Sequence, residues 1–147
     1  MNRSMVQRQF SSNGMSMPQF DDLLNSENRR RERHIPVIHC PEKFREGDLI
    51  DVRVTIEKDL VFSDAEHSIR WITLYFFPEG EKVSLEVGQF MLDGGKESGT
   101  VLRKGQSGRH HEITTSVKVT KPGTFYATSY CNVHGLSVSS SKFVKIV

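Results

Sequence analysis

The stretch Ser129-Tyr130-Cys131-Asn132-Val133-His134-Gly135 sets a thiol and an imidazole three residues apart, after an aromatic and β-branched run. A thiolate and an imidazole at that spacing can grip one metal ion between them. The pattern alone is a weak signal, because a buried cysteine more often serves as a small hydrophobe. The chain holds only two cysteines and six histidines, however, and two further histidines also border strand-like apolar runs. These are His34 in Glu32-Arg33-His34-Ile35-Pro36 and His67 in Glu66-His67-Ser68-Ile69-Arg70-Trp71-Ile72. The second cysteine, Cys40, stands beside His39 but is followed by Pro41-Glu42-Lys43 with no other ligand close by. It reads as a packed thiol. Trp71, among apolar neighbours, reads as a core residue whose indole N–H needs a partner.

These groups must be carried by a fold, and 147 residues suffice for one domain with a true core and some tail. Charged residues at 26% and hydrophobic ones at 36% suit a water-soluble chain, and a formal charge of +2 gives no case for nucleic acid. The run Arg29-Arg30-Arg31 is short, and Glu32 interrupts it before Arg33, so it reads as a solvated linker. No stretch approaches the roughly 20 apolar residues of a membrane span. The start lacks the apolar segment of a secretory signal. Two distant cysteines make no disulfide framework, so a cytoplasmic location is expected.

Residues 1 to 17, rich in Ser, Asn, Gln, Arg and Met, are expected to be mobile. Pro18 to Asn25 can form one or two helical turns that gather Phe20, Leu23 and Leu24 on one side. From His34 onward the pattern is that of strands and turns. Ile35 to Ile38 forms a short run that Pro36 assigns to an edge. Leu49 to Ile56 alternates, with Ile50, Val52, Val54 and Ile56 on one face. Further strands are expected at Ile69 to Phe77, Val83 to Met91, Ile113 to Val119, Phe125 to Tyr130 and Lys142 to Val147, with a long loop over 93–109. Some seven short strands predict an all-β, immunoglobulin-like antiparallel β-sandwich. It would occupy residues 30–147, behind a flexible extension over 1–29.

Taken in series, Glu32 to Ile38, Glu66 to Ile72 and Phe125 to Leu136 closely resemble the superoxide reductase family, which includes neelaredoxin and the iron domain of desulfoferrodoxin. Tyr75-Phe76-Phe77-Pro78, Glu86-Val87-Gly88 and Lys121-Pro122-Gly123-Thr124 extend the likeness over nearly all of the expected folded body. The resemblance implies a mononuclear iron centre, Fe(II) in its reduced form and Fe(III) when oxidised. It implies Cys131 as axial ligand, with His34, His67 and His134 equatorial. It makes Glu32 a mobile carboxylate that caps oxidised iron, and sets Arg33 where the family usually has a lysine that steers superoxide. It also implies a homo-oligomer. With two cysteines the chain has no room for the four-cysteine iron centre of desulfoferrodoxins, so the resemblance implies electrons from a rubredoxin-like donor.

The chain departs from the family at the fourth equatorial histidine, which falls about six residues before the one matching His67. Here the stretch is Leu60-Val61-Phe62-Ser63-Asp64-Ala65, and neither Val61 nor Phe62 can bind metal. Water, Asp64 or a histidine from elsewhere, such as His110 or His111, can complete the sphere. Ser137, where the family commonly has an aromatic residue, is a second departure and bears on packing near the metal. Three readings follow. The chain is an iron enzyme reducing superoxide, or a metal-binding protein with reduced or lost catalysis in which three imidazoles and a thiolate make a closed zinc site. The third is a β-sandwich interaction module.

Overall fold

In a computed structural model, the structure describes residues 17–27, 34–56, 69–92 and 112–147. The alternating run expected at Leu49 to Ile56 is strand β3 (Leu49–Ile56), and its side chains divide as the pattern requires. Ile50, Val52, Val54 and Ile56 point inward and are buried. Two strands flank it antiparallel, β1 (Pro36–His39) and β6 (Glu112–Lys118), to give a three-stranded sheet ordered β1-β3-β6. Pro36 lies at the outer edge of that sheet, where a missing N–H breaks no ladder.

The second layer has six strands. Its centre is β4 (Ile69–Pro78) paired antiparallel with β7 (Gly123–Cys131), and β5 (Leu85–Met91) borders β4 on the far side. The other edge of β7 is shared by two strands in succession. Its first residues pair with β9 (Lys142–Ile146) and its last with β8 (Gly135–Val138). Ser139 bridges the break between them, since its N–H donates to the Ala127 carbonyl and its hydroxyl accepts from the Ala127 N–H. A two-residue strand, β2 (Lys43–Phe44), runs parallel to β9 and is the exception to an antiparallel fold.

Between the sheets lies one apolar core, joining Val52, Val54 and Ile113 of the first layer to Ile72, Leu74, Phe125, Ala127 and Val144 of the second. Each such side chain contributes about 1.5–3 kcal/mol by leaving water. Gly123 opens β7 because nothing larger fits: a Cβ there would meet the Phe77 carbonyl oxygen at 2.5 Å. The expected β-sandwich is therefore observed, with nine strands among the described residues instead of about seven.

Two local expectations are revised. The stretch after Pro18 makes a single 3₁₀ turn, Phe20–Leu23, and buries none of its residues. Phe20 and Leu23 are exposed, so among the described residues their apolar side joins no core. Trp71 is half-buried on the outer face of the second sheet, where it stacks on Tyr130 at 4.6 Å and 14°. The long loop over 93–109 and the opening residues 1–16 lie outside the described residues.

Candidate metal centre

Strand alternation decides where the Cys131 sulfur goes. Along β7 the side chains of Phe125, Ala127, Ser129 and Cys131 all face the core, and Cys131, the last of them, is 1% exposed. A three-residue turn, 132–134, then leads into β8, with Cys131 paired to Gly135 across it. Gly135 closes the turn at φ +91°, a conformation that glycine adopts without strain. This turn folds His134 back over the cysteine. Nδ1 of His134 lies 3.6 Å from Sγ, and the backbone N–H groups of Val133 and His134 both donate to that sulfur at 3.4 Å.

His34 arrives from the other sheet. It immediately precedes β1 by two residues, is 1% exposed, and sets its Nε2 3.1 Å from Nδ1 of His134. The two rings stand 4.9 Å apart at 49°. The backbone positions of both histidines are fixed by polar side chains. The Ser129 hydroxyl donates to the His34 carbonyl at 3.2 Å, and the Asn25 amide donates to the His134 carbonyl at 3.0 Å.

Donor atoms of His34, Cys131 and His134 thus lie within 4.8 Å of one another. Two nitrogens held about 2.1 Å from a common ion, at right angles, would sit about 3.0 Å apart, close to the 3.1 Å seen between His34 and His134. Two imidazoles and a sulfur carrying backbone N–H donors are a donor set for iron or zinc. His134 is exposed whereas the other two are buried, so the group has one side toward water.

Of the metal ligands expected from sequence, the structure brings His34, Cys131 and His134 together. His67, Glu32 and Arg33 lie outside the described residues, as do Val61, Phe62, Asp64, His110 and His111. Ile69 pairs with Cys131 at the start of β4, beside a register irregularity between Ile69 and Trp71. Sequence reasoning passed over Asn25 and Ser129, whose partners are 109 and 95 residues away and leave no local signal. Cys40 packs against the core away from this group, and burial pushes its thiol pKa up. His39 turns outward to Thr55 at 3.0 Å, and its pKa is lowered by burial and then by Arg53 and Lys142.

The fold and this cluster define a β-sandwich with two imidazoles and a thiol gathered as a candidate metal site at one end of its larger sheet. The family model described as Desulfoferrodoxin matches residues 26–140, and the chain belongs to that family. It is 35% identical over 120 residues to neelaredoxin of Megalodesulfovibrio gigas, covering 81% of this chain and 92% of that one. It is 36% identical over 116 residues to superoxide reductase of Pyrococcus furiosus, covering 78% and 91%. The structure of superoxide reductase (neelaredoxin) from Ignicoccus hospitalis superposes with a TM-score of 0.69 at 30% identity, over 88% of this chain and all of that one.

Proposed function

We propose that this chain is an iron-dependent oxidoreductase that reduces superoxide to hydrogen peroxide at one metal ion held by His34, His67, Cys131 and His134. The observation that carries the reading is the convergence of His34, Cys131 and His134 in a chain of the desulfoferrodoxin family. His67 enters by resemblance, and the register supports it. Ile69, two residues on, pairs with Cys131, and two residues of chain reach no further than about 7 Å.

Iron held by these residues would supply the single electron the reaction needs. The chain's own groups set the conditions. The Cys131 sulfur pushes electron density toward the metal, and the N–H donors of Val133 and His134 moderate that push. The imidazoles bind without adding charge. By resemblance Arg33 would attract the superoxide anion from solution, and Glu32 would cap the oxidised metal when substrate is absent. One superoxide, one electron and two protons give one hydrogen peroxide, and the exposed His134 side gives water access to supply the protons.

In this reading residues 30–147 form the catalytic sandwich and 1–29 an extension. Electrons come from a rubredoxin-like donor, the chain assembles with copies of itself, and it works in the cytoplasm. Among the described residues no helix is long and apolar enough to cross a membrane. Exposed Leu85 and Met91 on the edge strand β5 give a self-association surface.

Reduced, iron-loaded protein mixed with superoxide should yield one hydrogen peroxide per superoxide and no dioxygen. Half that peroxide together with dioxygen would mark a dismutase and overturn the reading. Arg33→Ala should slow superoxide consumption, more at low salt than at high; a rate indifferent to the change would remove Arg33 from its role. One specific feature favours a second reading. With Val61 and Phe62 in place of a ligand, three imidazoles and one thiolate match a closed zinc site. Protein that takes up zinc in preference to iron and leaves superoxide untouched would establish it.

A further inference from the structure

The extension ahead of the sandwich contains one side chain that the function above does not use. Asn25 is 4% exposed, although Phe20 and Leu23, the apolar residues of the turn just before it, are exposed. It bridges to Ser137 in parallel, outside the named strands. Its backbone N–H donates to the Leu136 carbonyl at 3.0 Å, and its carbonyl accepts from the Val138 N–H at 2.8 Å. Those two bonds extend the sheet by one residue and any amino acid except proline could make them. The side chain does something more specific. Its Nδ2 donates to the carbonyl of His134 at 3.0 Å and of Leu136 at 3.4 Å, so one buried amide clasps the backbone on both sides of Gly135.

This matters because the turn over 132–134 carries both hydrogen bonds to the Cys131 sulfur and the ring of His134. His134 is the exposed member of the cluster, whereas His34 and Cys131 are buried. A carbonyl facing a fixed amide donor limits how the peptide plane after His134 can rotate. The same constraint reaches the imidazole through a single residue.

We propose that Asn25 is a positioning residue of the metal centre, its side-chain amide fixing the Cys131–Gly135 turn so that His134 and the N–H donors of that turn address the sulfur. The proposal rests on the metal-site reading above. Groups just outside a metal's ligands commonly govern affinity by about 10–100-fold when removed. The extension is then part of the site and not only a leader to it.

The test compares two changes in the same segment. Asn25→Ala removes the clasp and leaves both backbone bonds. Glu27→Ala removes an exposed contact to the Ser140 hydroxyl, which donates at 2.8 Å, and loosens docking without touching the turn. Fe(II) affinity by chelator competition should fall tenfold or more in Asn25→Ala and stay within twofold of the parent in Glu27→Ala. The thiolate-to-iron absorption of the oxidised protein should shift in the first variant only. In metal-free protein, amide exchange at Val133 and His134 should speed up in Asn25→Ala while that at Val138 holds. Asn25→Asp, which keeps the shape and loses the donor, should behave as Asn25→Ala does and serves if the alanine variant does not fold. Equal weakening by Glu27→Ala, or parental affinity and exchange in both Asn25 variants, would overturn the proposal. Parent protein that binds no metal would instead refute the metal-site reading, and the exchange measurement would still decide the role of Asn25.

Discussion

Two places in this molecule set a cysteine close to a histidine, and they have opposite fates. His39 and Cys40 are adjacent in sequence at the end of β1, yet the histidine turns out to Thr55 while the thiol packs against the core. Cys131 and His134 are three residues apart, and a turn between β7 and β8 brings their donor atoms to 3.6 Å. Alternation along a strand sends neighbouring side chains to opposite faces, so adjacency at the end of β1 separates His39 from Cys40. A tight hairpin reverses the chain and so reunites Cys131 with His134. The turn also aims two N–H groups at the sulfur, whereas at Cys40 burial is the largest influence on the thiol and raises its pKa. Residue type proposes a metal site; backbone geometry decides it.

The largest effect should come from exchanging the roles of the histidines. His34→Ala removes a buried donor and should weaken Fe(II) or Zn(II) binding by more than about 100-fold, beyond what loss of a supporting group costs. His39→Ala should leave metal affinity unchanged, as read by chelator competition. A comparable loss in both would erase the distinction drawn here. Gly135→Ala tests the hairpin itself. At φ +91° a Cβ costs about 1–2 kcal/mol, although no atom lies within 4 Å of it. Thermal unfolding should show that cost, together with weaker metal binding. Gly47→Ala, at φ +85° in a distant turn, should carry the stability cost alone.

Cys40 offers a smaller and oppositely directed signature. Burial raises its thiol pKa in the fold, with Lys142 acting the other way. The folded chain thus holds the proton more tightly than the unfolded chain, and stability is retained below the ordinary thiol pKa. It should decline as pH rises from that value toward the raised one. Cys40→Ala should flatten this slope in denaturant melts, and alkylation of Cys40 should lag that of a free thiol at mildly alkaline pH. The smallest effect belongs to Ser137. Its hydroxyl is buried with no hydrogen-bond partner among the described residues. Ser137→Ala should therefore be neutral or stabilising by up to about 1 kcal/mol in urea. A clear loss of stability would mean that this hydroxyl has a partner.

Sequence made the sandwich legible where one face is dry and the other wet. Leu49 to Ile56 shows this directly, because its burial repeats the written alternation. β8 escaped notice because Gly135-Leu136-Ser137-Val138 is too short to show a pattern and owes its existence to pairing with Thr128–Cys131. β2 escaped for a related reason, being two residues matched in parallel to a strand about a hundred positions later. Trp71 was misjudged because an aromatic in an apolar run fits either face of a sheet, and here Tyr130 covers its outer side. At the site, the motif around Cys131 pointed to two members of the observed cluster, and family likeness added His34 to them. Asn25 could not be seen, since a single asparagine carries no periodicity of its own and its partners lie more than a hundred residues away.

Ligation of the metal by the Cys131 sulfur is the claim on which the rest stands, and optical spectroscopy of oxidised, iron-loaded protein tests it most directly. The parent and Cys40→Ser should both carry one iron per chain with a thiolate-to-iron charge-transfer band, and Cys131→Ser should lose that band. A band that survives in Cys131→Ser, or disappears in Cys40→Ser, would contradict the account.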